Sequence, residues 1–162
     1  MAENLYIPVT EDKEEKYIAI IPQIESLING EGDLIANLAN ITAVLREVFG
    51  FFWVGFYIAK GEDLILGPFQ GPLACTRIKY GRGVCGTAWK AEETIIVNDV
   101  EKFPGHIACS SLSKSEIVVP VFSRSKVAGV LDVDSDKLNS FDNIDKEYLE
   151  KICKIISIKH FQ

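Results

Sequence analysis

The sequence predicts an α+β domain: an antiparallel sheet with helices packed on it. Three observations lead there. Two stretches of helical periodicity open the chain, short runs rich in aromatic and β-branched residues fill the middle, and a last helical stretch closes it. Adjacent strand runs flanked by helices make a sheet that must bury a face against those helices. At 162 residues the chain has the size of one domain. A chain of that size buries roughly 70% of the surface its unfolded form exposes and needs no staples. No repeat, linker or low-complexity stretch interrupts it, so a single domain over residues 1–162 is expected. Its parts are N-terminal helices at about 12–49, sheet and loops at about 50–135, and a C-terminal helix at about 142–160.

Between Asp12 and Asn29 the residues Tyr17, Ile20, Ile21, Ile24, Leu27 and Ile28 recur at helical spacing. Pro22 lies inside this run, where a missing N–H and a ring clash either kink a helix or split it in two. Gly30-Glu31-Gly32 breaks the chain, and Asp33 caps a second helix. Its stripe is Leu34, Ile35, Leu38, Ile41, Leu45 and Val48, ending before Gly50. Phe51–Ile58 then reads as a strand, and Leu64–Leu66 as another after a Gly-Glu-Asp turn. Thr76–Tyr80 is a further strand, Gly81-Arg82-Gly83 a loop, Val84–Ala91 a short helix and Thr94–Val97 a short strand. Glu101–Ser115 lacks a period and is rich in small and polar residues. It reads as a long loop with one helical turn, and loops longer than about 12 residues in a compact domain are often functional. Glu116–Phe122 and Val127–Val133 form a hairpin turning at Ser123–Lys126. Asp142–His160 is helical, with Tyr148, Leu149, Ile152, Ile155 and Ile156 on one face.

Hydrophobic residues at 48% and charged residues at 25% describe an ordinary globular protein. Apolar runs such as Ile117–Phe122 fall far short of the ~20 residues a membrane-spanning helix needs, so no membrane role is expected. Met1-Ala2-Glu3-Asn4 carries no secretory pattern, which makes the expected compartment cytoplasmic. A net charge of −6 argues against binding a nucleic-acid backbone.

The four cysteines are Cys75, Cys85, Cys109 and Cys153. In a chain that needs no staples they read as core residues, metal ligands or redox groups. Cys153 sits among Leu149, Ile152 and Ile156 and reads as core. Cys75, Cys85, Cys109 and His106 form a Cys₃His set on paper, but Cys75 and Cys85 stand further apart than the paired ligands of structural zinc sites. No bound metal or cofactor is therefore expected. Asp132 and Asp134, two apart on one strand, point to the same face, and Trp53 and Tyr57, four apart, share a face as well. Read alone, the aromatic pair would be sheet core and the acids a solvated strand end.

Several segments resemble the GAF domain family: Gly83-Val84-Cys85-Gly86-Thr87-Ala88-Trp89, Thr94-Ile95-Ile96-Val97-Asn98-Asp99-Val100, Val127–Ser135, and Phe141-Asp142 with the helix after it. A closer set resembles the free methionine-R-sulfoxide reductases within it. These are Trp53–Tyr57, Gly67–Gly71, Ala74-Cys75, Gly81–Gly86, Phe103–Cys109 and Ser115–Pro120, and the likeness runs from about Ala2 to Cys153.

That resemblance implies Cys109 as nucleophile, with Cys75 and Cys85 as candidate resolving thiols and Cys75 the favoured direct partner. A thiolate attacks sulfoxide sulfur, leaves methionine and a sulfenic acid, and a second thiol captures that acid as a disulfide. The resemblance also implies substrate binding by Glu116, Asp132, Asp134, Trp53 and Tyr57. Glu116 and Asp134 are expected to serve the sulfoxide oxygen and Asp132 to hold the pocket or the amine. Backbone N–H groups at Glu116–Val118, or a helix start, are expected to take the carboxylate. Thioredoxin as external reductant and a homodimer built on the N-terminal helices belong to the same expectation. The competing readings are a small-ligand sensor module, a chromophore carrier, a thiol redox sensor and a reductase of protein-bound methionine sulfoxide. A sensor would bind without changing its thiol count.

Overall fold

A computed structural model describes residues 4–107 and 109–162 of the chain. Met1, Ala2 and Glu3, where the secretory reading and the start of the resemblance fall, lie outside the described residues, as does Ala108 of the Phe103–Cys109 motif.

The elements follow the expected order. They are α1 (Lys13–Asn29), α2 (Leu34–Phe49), β1 (Trp53–Lys60), β2 (Asp63–Gln70), β3 (Arg77–Lys79), α3 (Gly83–Ala91), β4 (Ile95–Val97), β5 (Ser115–Ser123), β6 (Lys126–Ser135) and α4 (Asn143–His160). A 3₁₀ turn, Val100–Lys102, opens the long loop before β5. The strands make one six-stranded sheet in the order β3-β2-β1-β6-β5-β4, every neighbouring pair antiparallel.

Pro22 does not split the first helix: α1 runs unbroken through it. Both Pro22 and Ile18, whose carbonyl loses its partner to the ring, are exposed, so the missing hydrogen bond falls on the outer face of the helix. The second strand is longer than Leu64–Leu66, because Gly67-Pro68 does not end it. In the β1–β2 ladder Gly55 faces Phe69 and Tyr57 faces Leu66, which leaves Gly67 and Pro68 together opposite Phe56. That bulge is a place where a residue without an N–H is tolerated.

The sheet separates two apolar clusters. On its back, Val54, Phe56, Ile117, Val119, Leu131 and Val133 pack against Tyr17, Ile20 and Ile24 of α1, Leu38, Ile41 and Leu45 of α2, and Leu149 and Ile152 of α4. Cys153 is buried in this back cluster, as its helical neighbours indicate. On the front, Trp53, Tyr57, Val118 and Val130 pack with Val84, Cys85 and Ala88 of α3. Period-two alternation along β1, β5 and β6 produces both sets. Asp12, Asp33 and Asp142 cap α1, α2 and α4 through their carboxylates. At the back, buried Asp145 accepts from the Tyr17 hydroxyl at 2.9 Å and the Lys13 ammonium at 2.6 Å, which clasps α1 to α4. Among the described residues no helix is long and apolar enough to cross a membrane.

Candidate active site

The front of the sheet, the first turn of α3 and the two loops around residues 71–76 and 103–114 line one cavity open to solvent. Trp53 and Tyr57 form one wall, their rings stacked 6.0 Å apart, with Phe69 against the far side of the indole at 5.4 Å. Each ring is pinned by its polar end. The Trp53 indole N–H donates to the Pro72 carbonyl oxygen at 3.1 Å, and the Tyr57 hydroxyl donates to that of Cys75 at 2.9 Å. Gly55, between them on β1, permits this wall: a Cβ there would overlap the indole and Phe69.

Register assembles the floor. Glu116 on β5 lies opposite Asp134 on β6, Asp132 lies opposite Val118, and β1 sets Trp53 opposite Asp134 and Gly55 opposite Asp132. The three acids thus share the front face with the aromatic pair. Glu116 and Asp132 are each 6% exposed. Burial, then repulsion among the carboxylates, pushes both well above the ordinary carboxylate range. Burial raises Asp134 to about 6, against a hydrogen bond from Ser113 that pulls it down. Asp132 Oδ1 is buried without a hydrogen-bond partner among the described residues.

Cys85, in the first turn of α3, is 3% exposed and points its Sγ at Glu116 Oε1, 3.9 Å away. Burial, then the charges of Asp132 and Glu116, holds it as a thiol. Cys75 and Cys109, 34 residues apart, are joined by a disulfide with their Cα atoms 5.4 Å apart. The bridge removes both from the Cys₃His set weighed above. Cys85, Glu116 and Asp132 do offer ligand atoms within 4.8 Å of one another, which makes them the group of described residues able to hold a metal ion.

The structure therefore gathers Trp53, Tyr57, Cys85, Cys109, Glu116, Asp132 and Asp134 around one cavity, with Cys75 at its edge beside lining residues Leu73 and Ala74. One expectation needs correcting. The Glu116–Val118 backbone does not face the cavity as a free set of donors, because β5 is an inner strand paired on one side with β4 and on the other with β6. The start of α3 remains: Gly83, Val84 and Cys85 line the cavity, and the first N–H groups of a helix have no partner within it. Gly83 holds a φ of +60°, which a side-chain-bearing residue resists, and a Cβ there would press on Ile107 at 3.2 Å.

Ser113 escaped the sequence reading, and His106 was weighed only as a metal ligand, not as a neighbour of the acids. His106 places its Nε2 4.0 Å from Glu116 Oε2, and Ser113 lies near enough to Asp134 to pull its pKa down. His106 stands three residues before Cys109 in the quoted motif; Ser113 carries no such signal.

Comparison with known proteins agrees with this geometry. The GAF domain family matches residues 33–159. "GAF domain-containing protein A" of Dictyostelium discoideum is 64% identical over 96% of this chain and 99% of its own length. "Free methionine-R-sulfoxide reductase" of Saccharomyces cerevisiae is 43% identical over 90% of this chain and 86% of its own. Among solved structures, free methionine-R-sulfoxide reductase of Neisseria meningitidis in complex with its substrate superposes with a TM-score of 0.94. It is 53% identical and covers 96% of this chain and 94% of that one. With such likeness along nearly its whole length, the chain belongs to the GAF domain family, on the branch that holds the free methionine-R-sulfoxide reductases.

Proposed function

We propose that this protein is an oxidoreductase that reduces free L-methionine-(R)-sulfoxide to L-methionine. The observation that carries the reading is the Cys75–Cys109 disulfide beside an aromatic pocket with an acid floor. A methylsulfinyl group is small and partly apolar, which suits the Trp53–Tyr57 wall. Its oxygen must leave as water, and buried carboxyls with raised pKa values keep a proton to donate to higher pH than free ones do.

The steps balance without a metal or bound cofactor. The Cys109 thiolate attacks the sulfoxide sulfur while the Glu116 and Asp134 pair hands the oxygen one proton. The oxygen passes to Cys109, methionine leaves, and Cys109 is oxidised to a sulfenic acid by two electrons. The Cys75 thiol displaces water from that acid and forms the disulfide. A dithiol protein of the thioredoxin class reduces the bridge by thiol–disulfide exchange and returns both thiols. A cytoplasmic location supplies such a reductant. Cys85, held as a thiol against Glu116, supports the acids rather than taking the first oxidation. Asp132 helps hold the pocket, and the start of α3 takes the substrate carboxylate. A homodimer on α1 and α2 fits the exposed Ile18 and Ile35 on those helices.

Turnover of free L-methionine-R-sulfoxide coupled to thioredoxin, thioredoxin reductase and NADPH tests the reading, with the S epimer as control. NADPH loss with the R epimer alone, abolished by Cys109→Ser, is the expected result. No turnover of either epimer by fully reduced protein would sink it in favour of a ligand-binding module.

A further inference from the structure

We propose that the pocket floor is also a binding site for a thiophilic divalent cation, zinc above all, held by Cys85, Glu116 and Asp132 with His106 at the rim, and that the bound ion closes the pocket to the sulfoxide. The cation site stands on geometry alone; the closing of the pocket rests on the substrate reading above.

Three elements bring the donors together: α3 supplies Cys85, β5 supplies Glu116 and β6 supplies Asp132. Their ligand atoms lie within 4.8 Å of one another, and all three residues are buried. Zinc–sulfur bonds of about 2.3 Å and zinc–oxygen bonds of about 2.0 Å place sulfur and oxygen roughly 3.5 Å apart around a tetrahedral ion. Cys85 Sγ and Glu116 Oε1 are already 3.9 Å apart. A second observation points to a ligand: Asp132, 6% exposed, carries an Oδ1 atom that nothing among the described residues satisfies. A buried acceptor without a donor is costly, and a cation would complete it. His106 Nε2 lies 4.0 Å from Glu116 Oε2, near enough for a small ring movement to make it the fourth ligand.

The donor types select the ion. One thiolate, one imidazole and two carboxylates form a set that zinc accepts at four-coordination. Magnesium and calcium favour all-oxygen shells with more ligands, and the thiolate counts against both. This is not the Cys₃His set of the sequence, since Cys75 and Cys109 are bonded to each other. The site therefore persists in the disulfide form. Binding displaces the Cys85 thiol proton and any proton held by the two carboxyls to solvent, and no electrons move. Substrate and cation both need Glu116, and Asp132 belongs to the same pocket floor, so each excludes the other.

The test starts with the disulfide form of the protein. Zinc titrated calorimetrically is expected to bind at one ion per chain. Cobalt is expected to give a near-ultraviolet thiolate-to-metal absorption band. Cys85→Ser and Glu116→Gln should each weaken zinc binding at least tenfold, and Cys153→Ala, which removes the thiol on the other side of the sheet, should not. Thermal melts establish that each variant is folded; if Cys85→Ser is not, Glu116→Gln carries the comparison. Affinity indifferent to both front-face variants, or cobalt binding without the thiolate band, overturns the site. A Cys75→Ser/Cys109→Ser protein tests the closing. It should bind methionine-R-sulfoxide at least tenfold more weakly in saturating zinc, and equal binding with and without zinc overturns it. Failure of that variant to bind the sulfoxide even without zinc counts against the substrate reading and leaves the cation titrations to decide the site.

Discussion

The Tyr57 hydroxyl donates to the Cys75 carbonyl oxygen at 2.9 Å, so a residue of the pocket wall holds the loop that carries half of the disulfide. One side chain thus ties the place where substrate sits to the place where oxidation is captured. Burial, then the nearby carboxylates, raises the Tyr57 hydroxyl far above its ordinary value, so it stays a donor at every working pH.

Tyr57→Phe keeps the ring and loses the tie. A net hydrogen bond of about 1 kcal/mol corresponds to roughly a fivefold change in rate. Formation of the Cys75–Cys109 disulfide should slow by about that factor, while methionine release in a single turnover stays at the wild-type rate. Rapid-quench measurement of methionine against thiol loss separates the two. Equal slowing of both steps would show that the hydroxyl acts on the substrate instead.

The acid floor makes stability fall as pH rises. Glu116, Asp132 and Asp134 all have raised values in the folded protein. The native state therefore keeps protons that the unfolded chain has released, and ∂ΔG/∂pH is negative over that window. Their stabilisation is full below the unfolded values near pH 4 and is lost as pH climbs through the folded ones, about 6 for Asp134. Urea denaturation at stepped pH should show this decline in the wild type and a shallower one in Asp132→Asn. Parallel curves would contradict the raised values. Turnover should fall over the same rise, because the proton donors are being emptied.

Behind the sheet, Asp145 accepts from Tyr17 and Lys13 and, through its side chain, from the Asp142 backbone N–H at 3.0 Å, completing the capping box of α4. Asp145→Ala leaves a buried hydroxyl unpartnered and removes half of the cap, at a cost of about 2–3 kcal/mol. The melting temperature should drop by about 5–10 °C. Turnover per folded molecule at low temperature should be unchanged, since the clasp lies on the face away from the pocket. A loss of activity without a loss of melting temperature would place Asp145 in the wrong role.

Local chemistry made most of the elements legible. Asp12, Asp33 and Asp142 announce helix starts because their side chains take N–H groups two or three residues on. The face shared by Asp132 and Asp134 follows from strand period alone. Misread points depended on partners far away. Gly67-Pro68 looked like a strand end because the bulge that accommodates it exists only against Phe56. Glu116–Val118 looked like a free donor set because its place between β4 and β6 is a property of the sheet order. His106 and Ser113 sit in the aperiodic loop, where no repeat tells a lining residue from a solvated one. The site trio Cys75, Cys85 and Cys109 came from family likeness; their spacing has no local geometry that would bring Cys75 to Cys109.

A sheet that keeps two separate apolar clusters also divides what inheritance can change. Variants on the back alter how many folded molecules a cell keeps, since small losses of stability translate into abundance. Variants on the front also alter what each molecule does, and those at the buried acids change both. Selection on the chemistry alone therefore acts on one side of the wall. A lineage can exchange the chemistry of the front, acids and thiols included, behind a frame that need not be rebuilt.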